Sequence, residues 1–114
     1  MDPHPSPQLA ALVAQAEALT RNGRPQDAAG LWEKVVALDP DHATALNQLG
    51  ALALAQGDLG LAQSRLERAL AADPGLAMAH ASLSRLHARR GDHPQALASI
   101  DAADAIGLAV VATT

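Results

Sequence analysis

The sequence repeats itself with a period of 34 residues. The landmarks that recur at this spacing are the glycines Gly23, Gly57 and Gly91, the alanines Ala28, Ala62 and Ala96, and the Asp-Pro pairs at 39–40 and 73–74. A fixed period of this length is typical of solenoid proteins, in which each short unit buries its apolar face against its neighbours. The period therefore predicts three units, at 9–42, 43–76 and 77–110, with a flexible proline-rich lead at 1–8 and a tail at 111–114.

Each unit carries the signals of two helices joined by a tight turn. Apolar residues recur at intervals of three and four, as in a helix that buries one face. The first stretch of each unit ends at a periodic glycine, which adopts the left-handed conformation at a helix end without steric strain. Pro25, Asp58 and Asp92 suit the start of a second helix. These second helices are predicted at 25–38, 59–72 and 93–105. The sequence thus predicts an all-α protein.

The second unit combines large and small apolar residues at fixed positions with a closing proline. These residues are Leu46, Leu49, Gly50, Ala62, Leu66, Ala69 and Pro74. The arrangement resembles the tetratricopeptide repeat, and the resemblance implies a right-handed superhelix of three antiparallel helix pairs. The first unit departs from the family pattern at Gln15 and Ala16, and the third departs at His80, His87 and Leu108. We therefore expect the third unit to be degenerate and uncapped.

The resemblance also implies where a ligand would bind. In the family, the first helix of each unit lines the concave side of the superhelix. The corresponding positions are Glu17, Thr20, Arg21, Asn47, Gln48, Leu54, Met78, Ser82, Arg85 and Arg89, all off the expected core stripe. Amides can bind a peptide backbone, arginines can pair with carboxylates, and Leu54 and Met78 offer apolar contacts. We expect a protein-interaction module, acting as a scaffold or adaptor, that binds a peptide or partner protein in this groove.

The last part of the chain leaves two alternatives open. Outward-facing apolar residues are expected there at Ile100, Ala103, Ile106 and Leu108. Such a patch favours a structural or oligomerisation module that self-associates through its C-terminal face. It also suits the N-terminal repeat part of a longer protein, such as one with a catalytic domain, and among the explanations of this patch a continuation of the chain ranks first. An alanine-rich sequence that prefers Arg to Lys suggests a bacterial source.

Charge and composition argue against several other classes of function. The net charge is −4, whereas nucleic-acid binding needs clustered cations. The sequence contains no cysteine, which excludes disulfides and thiolate sites. The longest apolar stretch, at 105–112, is too short to span a bilayer, and the first residues lack the pattern of a secretory signal. We therefore expect a cytoplasmic protein with no nucleic-acid partner and no membrane insertion.

The residues that could bind a metal, catalyse a reaction or bind a nucleotide are not spaced as such sites require. His80 and His87 share one helical face but lie about 10 Å apart along it, too far to chelate one ion by themselves. No nucleophile stands beside a base, and the Gly57–Gly60 turn lacks the Lys and Ser/Thr of a nucleotide-binding loop. We expect no metal, no cofactor and no enzymatic activity. A metal site at His80 and His87 ranks third among the hypotheses.

Overall fold

The computed structural model describes residues 6–91, which form five α-helices. The helices are α1 (Pro7–Arg21), α2 (Pro25–Leu38), α3 (Ala43–Ala55), α4 (Leu59–Ala72) and α5 (Ala77–Arg89). Both second helices that fall within the described residues have the predicted bounds, and the one predicted at 93–105 lies outside them. The remaining described residues form turns, so the all-α prediction is confirmed for this part of the chain.

The helix ends follow from local chemistry. Gly23, Gly57 and Gly91 have φ angles of 76°, 85° and 80°, in the region that side chains with a Cβ rarely adopt. At the start of α4, Asp58 Oδ1 accepts a hydrogen bond of 3.2 Å from the Leu61 backbone N–H. This contact satisfies one of the N–H groups that a helix start leaves without an intrahelical partner.

Consecutive helices pack in antiparallel pairs, and successive pairs pack on each other. The helix α1 packs on α2, α3 on α4, and α5 on α4, while α3 also contacts α2 and α5. One core cluster joins the first two units and consists of Ala16, Ala28, Trp32, Val35, Ala45 and Leu49. A second cluster joins the second and third units and consists of Ala53, Leu54, Ala62, Leu66, Leu83 and Leu86. Each of these clusters therefore crosses a boundary between units instead of being confined to a single unit.

Polar contacts to the closing prolines also join neighbouring units. The Arg68 side chain donates to the Pro40 carbonyl at 2.9 Å. At the next junction, His80 Nε2 lies 3.0 Å from the Pro74 carbonyl oxygen. Because a carbonyl only accepts, Nε2 carries the proton in this contact. The closing proline of each of these units thus supplies a backbone acceptor to the unit that follows.

Among residues 6–91 we find no helix with the length and apolar character needed to cross a membrane.

Candidate functional site

The surface at which α3 meets α5 carries half of the predicted binding residues. Helix α3 has no charged side chain, whereas α5 carries Arg85 and Arg89. We call this surface the α3–α5 seam and define it by Asn47, Leu54, Ser82, Arg85 and Arg89. Four of these five residues are polar, so the seam differs from the apolar contacts inside each helix pair.

A buried polar pair lies at the middle of the seam. Ser82 Oγ donates to Asn47 Oδ1 at 3.3 Å, and the two residues are only 2% and 4% exposed. The Arg85 Nη2 group donates in turn to Ser82 Oγ at 3.1 Å, while Arg85 itself is exposed. The serine hydroxyl therefore acts as both donor and acceptor, and it links a buried amide to an exposed guanidinium.

The second arginine of the seam contacts α3 directly. Arg89 Nη1 donates to the backbone carbonyl of Leu54, in the last turn of α3. Carbonyls in a last turn lack intrahelical partners and carry the negative end of the helix dipole. Arg89 is therefore compensated by backbone rather than by a carboxylate.

The arginines on and beside α5 have no acidic partner among residues 6–91. Arg85 and Arg89 make the contacts just described, and Arg90 donates to Gln63 Oε1 on α4. The ion pairs found in this part of the chain join Arg24 to Asp27 at 2.7 Å and Arg65 to Glu33 at 3.0 Å, both away from the seam. The seam thus presents positive charge that an anionic group could neutralise. Sequence reasoning missed Arg90, although its position beside Arg89 was a signal.

The other predicted groove residues take different positions. Glu17, Arg21 and Met78 are exposed, and Gln48 is half-buried. Thr20 is turned towards its own helix pair: its hydroxyl donates to the Ala16 carbonyl at 2.9 Å and accepts from Trp32 Nε1 at 3.4 Å. The expectation that all the predicted groove residues lie off the core fails for three of them, because Asn47, Ser82 and Leu54 are buried. Leu54 is 5% exposed and belongs to the second core cluster.

The remaining predictions concern histidines and the C-terminal face. His80 and His87 are half-buried on α5, and His80 contacts a backbone carbonyl rather than another ligating side chain. Among residues 6–91, no three His, Cys, Asp or Glu side chains are grouped closely enough to hold a metal ion. The proposed oligomer face lies outside the described residues, and it comprises Ile100, Ala103, Ile106 and Leu108.

Comparison with protein families settles what kind of array this is. Two sequence models of the family described as the tetratricopeptide repeat match the chain, one over residues 7–75 and the other over residues 48–107. The chain belongs to the tetratricopeptide repeat family. Together the matches extend through most of the three predicted units, so the resemblance seen in the second unit is confirmed. No curated protein matches the sequence.

Solved structures of other proteins have the same fold. An O-GlcNAc transferase mutant from Thermobaculum terrenum is 29% identical, with a TM-score of 0.84 over 94% of this chain and 21% of the transferase. YrrB, titled a TPR protein with an unusual peptide-binding site, is 22% identical, with a TM-score of 0.74 over 90% of this chain and 53% of YrrB. The chain therefore spans about a fifth of the first protein and about half of the second.

A third structure contains a bound peptide. It is the Yersinia enterocolitica type III secretion chaperone SycD in complex with a peptide of the translocator YopD. SycD is 19% identical, with a TM-score of 0.78 over 93% of this chain and 81% of SycD. At this level of identity the similarity establishes the shared fold. An all-α solenoid of tetratricopeptide repeats is thus the architecture of the protein.

Proposed function

We propose that this protein is a binding module that holds a peptide segment of a partner protein along α1, α3 and α5. The observation that carries the proposal is the α3–α5 seam, where exposed arginines that have no acidic partner among residues 6–91 border an uncharged helix. A surface of this kind can bind a chain through side-chain charge and backbone polar groups together.

The neighbouring groups suit an extended or helical peptide. Gln48 is half-buried on α3, and its amide can both donate to and accept from a peptide backbone. Asn47 has its oxygen engaged by Ser82, which leaves its amide N–H groups as the donors it can offer. Met78, which is 45% exposed at the start of α5, offers an adaptable apolar contact. The seam together with Gln48 and Met78 thus combines backbone, charge and apolar recognition within two helices.

The relatives of known structure support a peptide ligand. YrrB is described as having a peptide-binding site, and SycD was solved with a peptide of its translocator. These are properties of those proteins, and they support a peptide as the class of ligand. A scaffold or adaptor role without intrinsic catalysis follows as part of the proposal.

A second candidate is that the module serves a catalytic domain. The similarity to the O-GlcNAc transferase favours it, because this chain matches about a fifth of that protein. In this arrangement the repeats would bind the protein substrate and the chemistry would take place elsewhere. The same seam would be used, so the two candidates differ in what is attached to the module and not in how it binds.

The test of the proposal is selection of ligands followed by measurement of their affinity. A display library of random 12-residue peptides would be selected on the immobilised chain, and the dissociation constants of enriched peptides would be measured by fluorescence anisotropy. We expect enrichment over the bare support and weaker binding by a Gln48→Phe variant, whose larger, neutral side chain occupies the surface without changing its charge.

The matched control is Lys34→Glu, because Lys34 is exposed on α2, away from the seam. This variant should bind the enriched peptides as the unaltered chain does. The absence of any enriched peptide would contradict the proposed function. Equal loss of affinity in both variants would contradict its placement on α3 and α5.

A further inference from the structure

The two arginines of the seam are held in different ways. They lie four residues apart on α5, which places them on one face, about 6 Å apart along the helix axis. Arg85 is bonded to a side chain of its own helix, whereas Arg89 is bonded to the backbone of the neighbouring helix. Arg85 is thus oriented by its own helix, whereas Arg89 connects α5 to α3.

Arg85 is oriented by a buried support. Its partner Ser82 is 2% exposed and is fixed in turn by Asn47 on α3. Within residues 6–91, one N–H of the guanidinium is engaged by this hydroxyl, and the other four N–H donors remain available for a ligand. The serine hydroxyl is neutral, so the contact restricts the side chain without cancelling its charge. A guanidinium held in this way loses less conformational entropy when it binds a carboxylate.

Arg89 is engaged differently, because its partner carries partial negative charge. The Leu54 carbonyl lies at the negative end of α3, and it also accepts from the Gly57 backbone N–H at 3.1 Å. Replacing Arg89 would remove a contact between the second and third units. Arg89 therefore helps to hold α5 in its position against α3.

We propose that Arg85 selects peptides that present an acidic side chain, that Ser82 and Asn47 position Arg85 for this contact, and that Arg89 instead fixes α5 to the end of α3. The inference rests on the proposed peptide-binding function and names the chemical class of its ligand. It divides a pair of arginines that the sequence treats as equivalent.

The experiment compares peptide selections on two chains in parallel. The random-peptide library is selected on the unaltered chain and on Arg85→Gln, and the frequency of Asp and Glu in the enriched peptides is compared. We expect an acidic excess with the unaltered chain that is lost with Arg85→Gln. For the tightest peptide, replacing its Glu by Gln should weaken binding about 10-fold or more, as for other hydrogen bonds to charged groups.

The ratio of affinities for the Glu and Gln peptides is then measured in variants of the supporting residues. Ser82→Ala should lower this ratio several-fold, and Ser82→Thr, which keeps the hydroxyl, should restore it. Arg89→Gln should keep the ratio while lowering the melting temperature. Lys34→Glu, the control, should leave both unchanged. Circular dichroism confirms that each variant is folded.

The possible failures are distinguishable. If neither chain enriches peptides over the bare support, the proposed function itself is wrong. If peptides are enriched without an acidic excess, or if Arg85→Gln keeps the ratio, the inference is wrong and the proposed function stands. If Ser82→Ala lowers the melting temperature but leaves the ratio unchanged, the serine is only structural and the positioning role is overturned.

Discussion

His42 shows how a single residue can differ from what its sequence position suggests. The sequence places it in a turn, where a solvated surface histidine is expected. In the structure its Nδ1 accepts a hydrogen bond of 3.1 Å from the Ala45 backbone N–H, and the residue is half-buried. Nδ1 is therefore unprotonated in this contact, and His42 acts as the N-cap of α3. A capping role was missed because Ser, Thr, Asp and Asn are the usual signals.

Removing this cap should destabilise the protein. We expect His42→Ala to lower the free energy of unfolding by about 1 kcal/mol, since an Ala side chain cannot accept the Ala45 N–H. His42→Ser supplies a side-chain oxygen at the same position and should recover most of the loss. Urea denaturation of the three chains measures the difference. Equal stability of the Ala and Ser variants would show that the histidine does not stabilise α3 by capping.

At the scale of the elements, α3 and α4 approach each other most closely at Gly50. A Cβ atom built on this glycine would lie 2.8 Å from Leu66 Cγ and 2.9 Å from Leu66 Cδ2. Leu66 is fully buried in the second core cluster and has little room to move. The Leu-Gly pair of the family pattern is thus explained by a steric requirement in this chain: the glycine makes space for the large residue of the paired helix.

The same contact predicts opposite effects for two Gly-to-Ala substitutions. Gly50→Ala should destabilise the protein by about 1–3 kcal/mol, because the added methyl group overpacks the helix contact. Gly30→Ala is the matched control in α2, where an added Cβ meets no atom within 4 Å. It should stabilise by up to about 1 kcal/mol, because alanine has the higher helix propensity. Melting curves of the two variants provide the measurement, and a shift in the same direction for both would contradict this explanation.

At the scale of the whole molecule, shared cores connect the units. Trp32 and Val35 of the first unit lie in one cluster with Ala45 and Leu49 of the second. The second cluster extends in the same way from the second unit to α5. In a solenoid, stability comes from each unit and from the contacts between neighbours. Here the contacts between neighbours involve the largest buried side chains, so the units should not unfold one at a time.

This coupling predicts a single unfolding transition. Trp32 is the only tryptophan, so its fluorescence reports the first core cluster, whereas circular dichroism at 222 nm reports all helices. We expect the two signals to give the same urea midpoint, because burial of Trp32 depends on both of the first two units. In Gly50→Ala, both midpoints should fall together. A tryptophan transition clearly separated from the helical transition would show that the first unit unfolds independently.

Much of the fold could be predicted from the sequence because its signals are local. The periodic glycines end helices through their own backbone freedom, and Asp58 caps α4 within three residues. The repeat pattern likewise indicated which face of each helix is apolar. These features depend on a residue and its immediate neighbours along the chain, which the sequence displays directly.

The candidate site could be predicted only as a set of positions. The sequence alone predicts that Arg85 and Arg89 share a face of α5, because residues four apart lie on one face in any helix. That Arg85 contacts Ser82, that Arg89 contacts the Leu54 carbonyl, and that the Leu54 side chain is buried became evident only from the folded chain. The physical reason is that burial and hydrogen-bond partners depend on how α3 and α5 are placed against each other. That placement follows from the packing of all the helices and not from any local pattern.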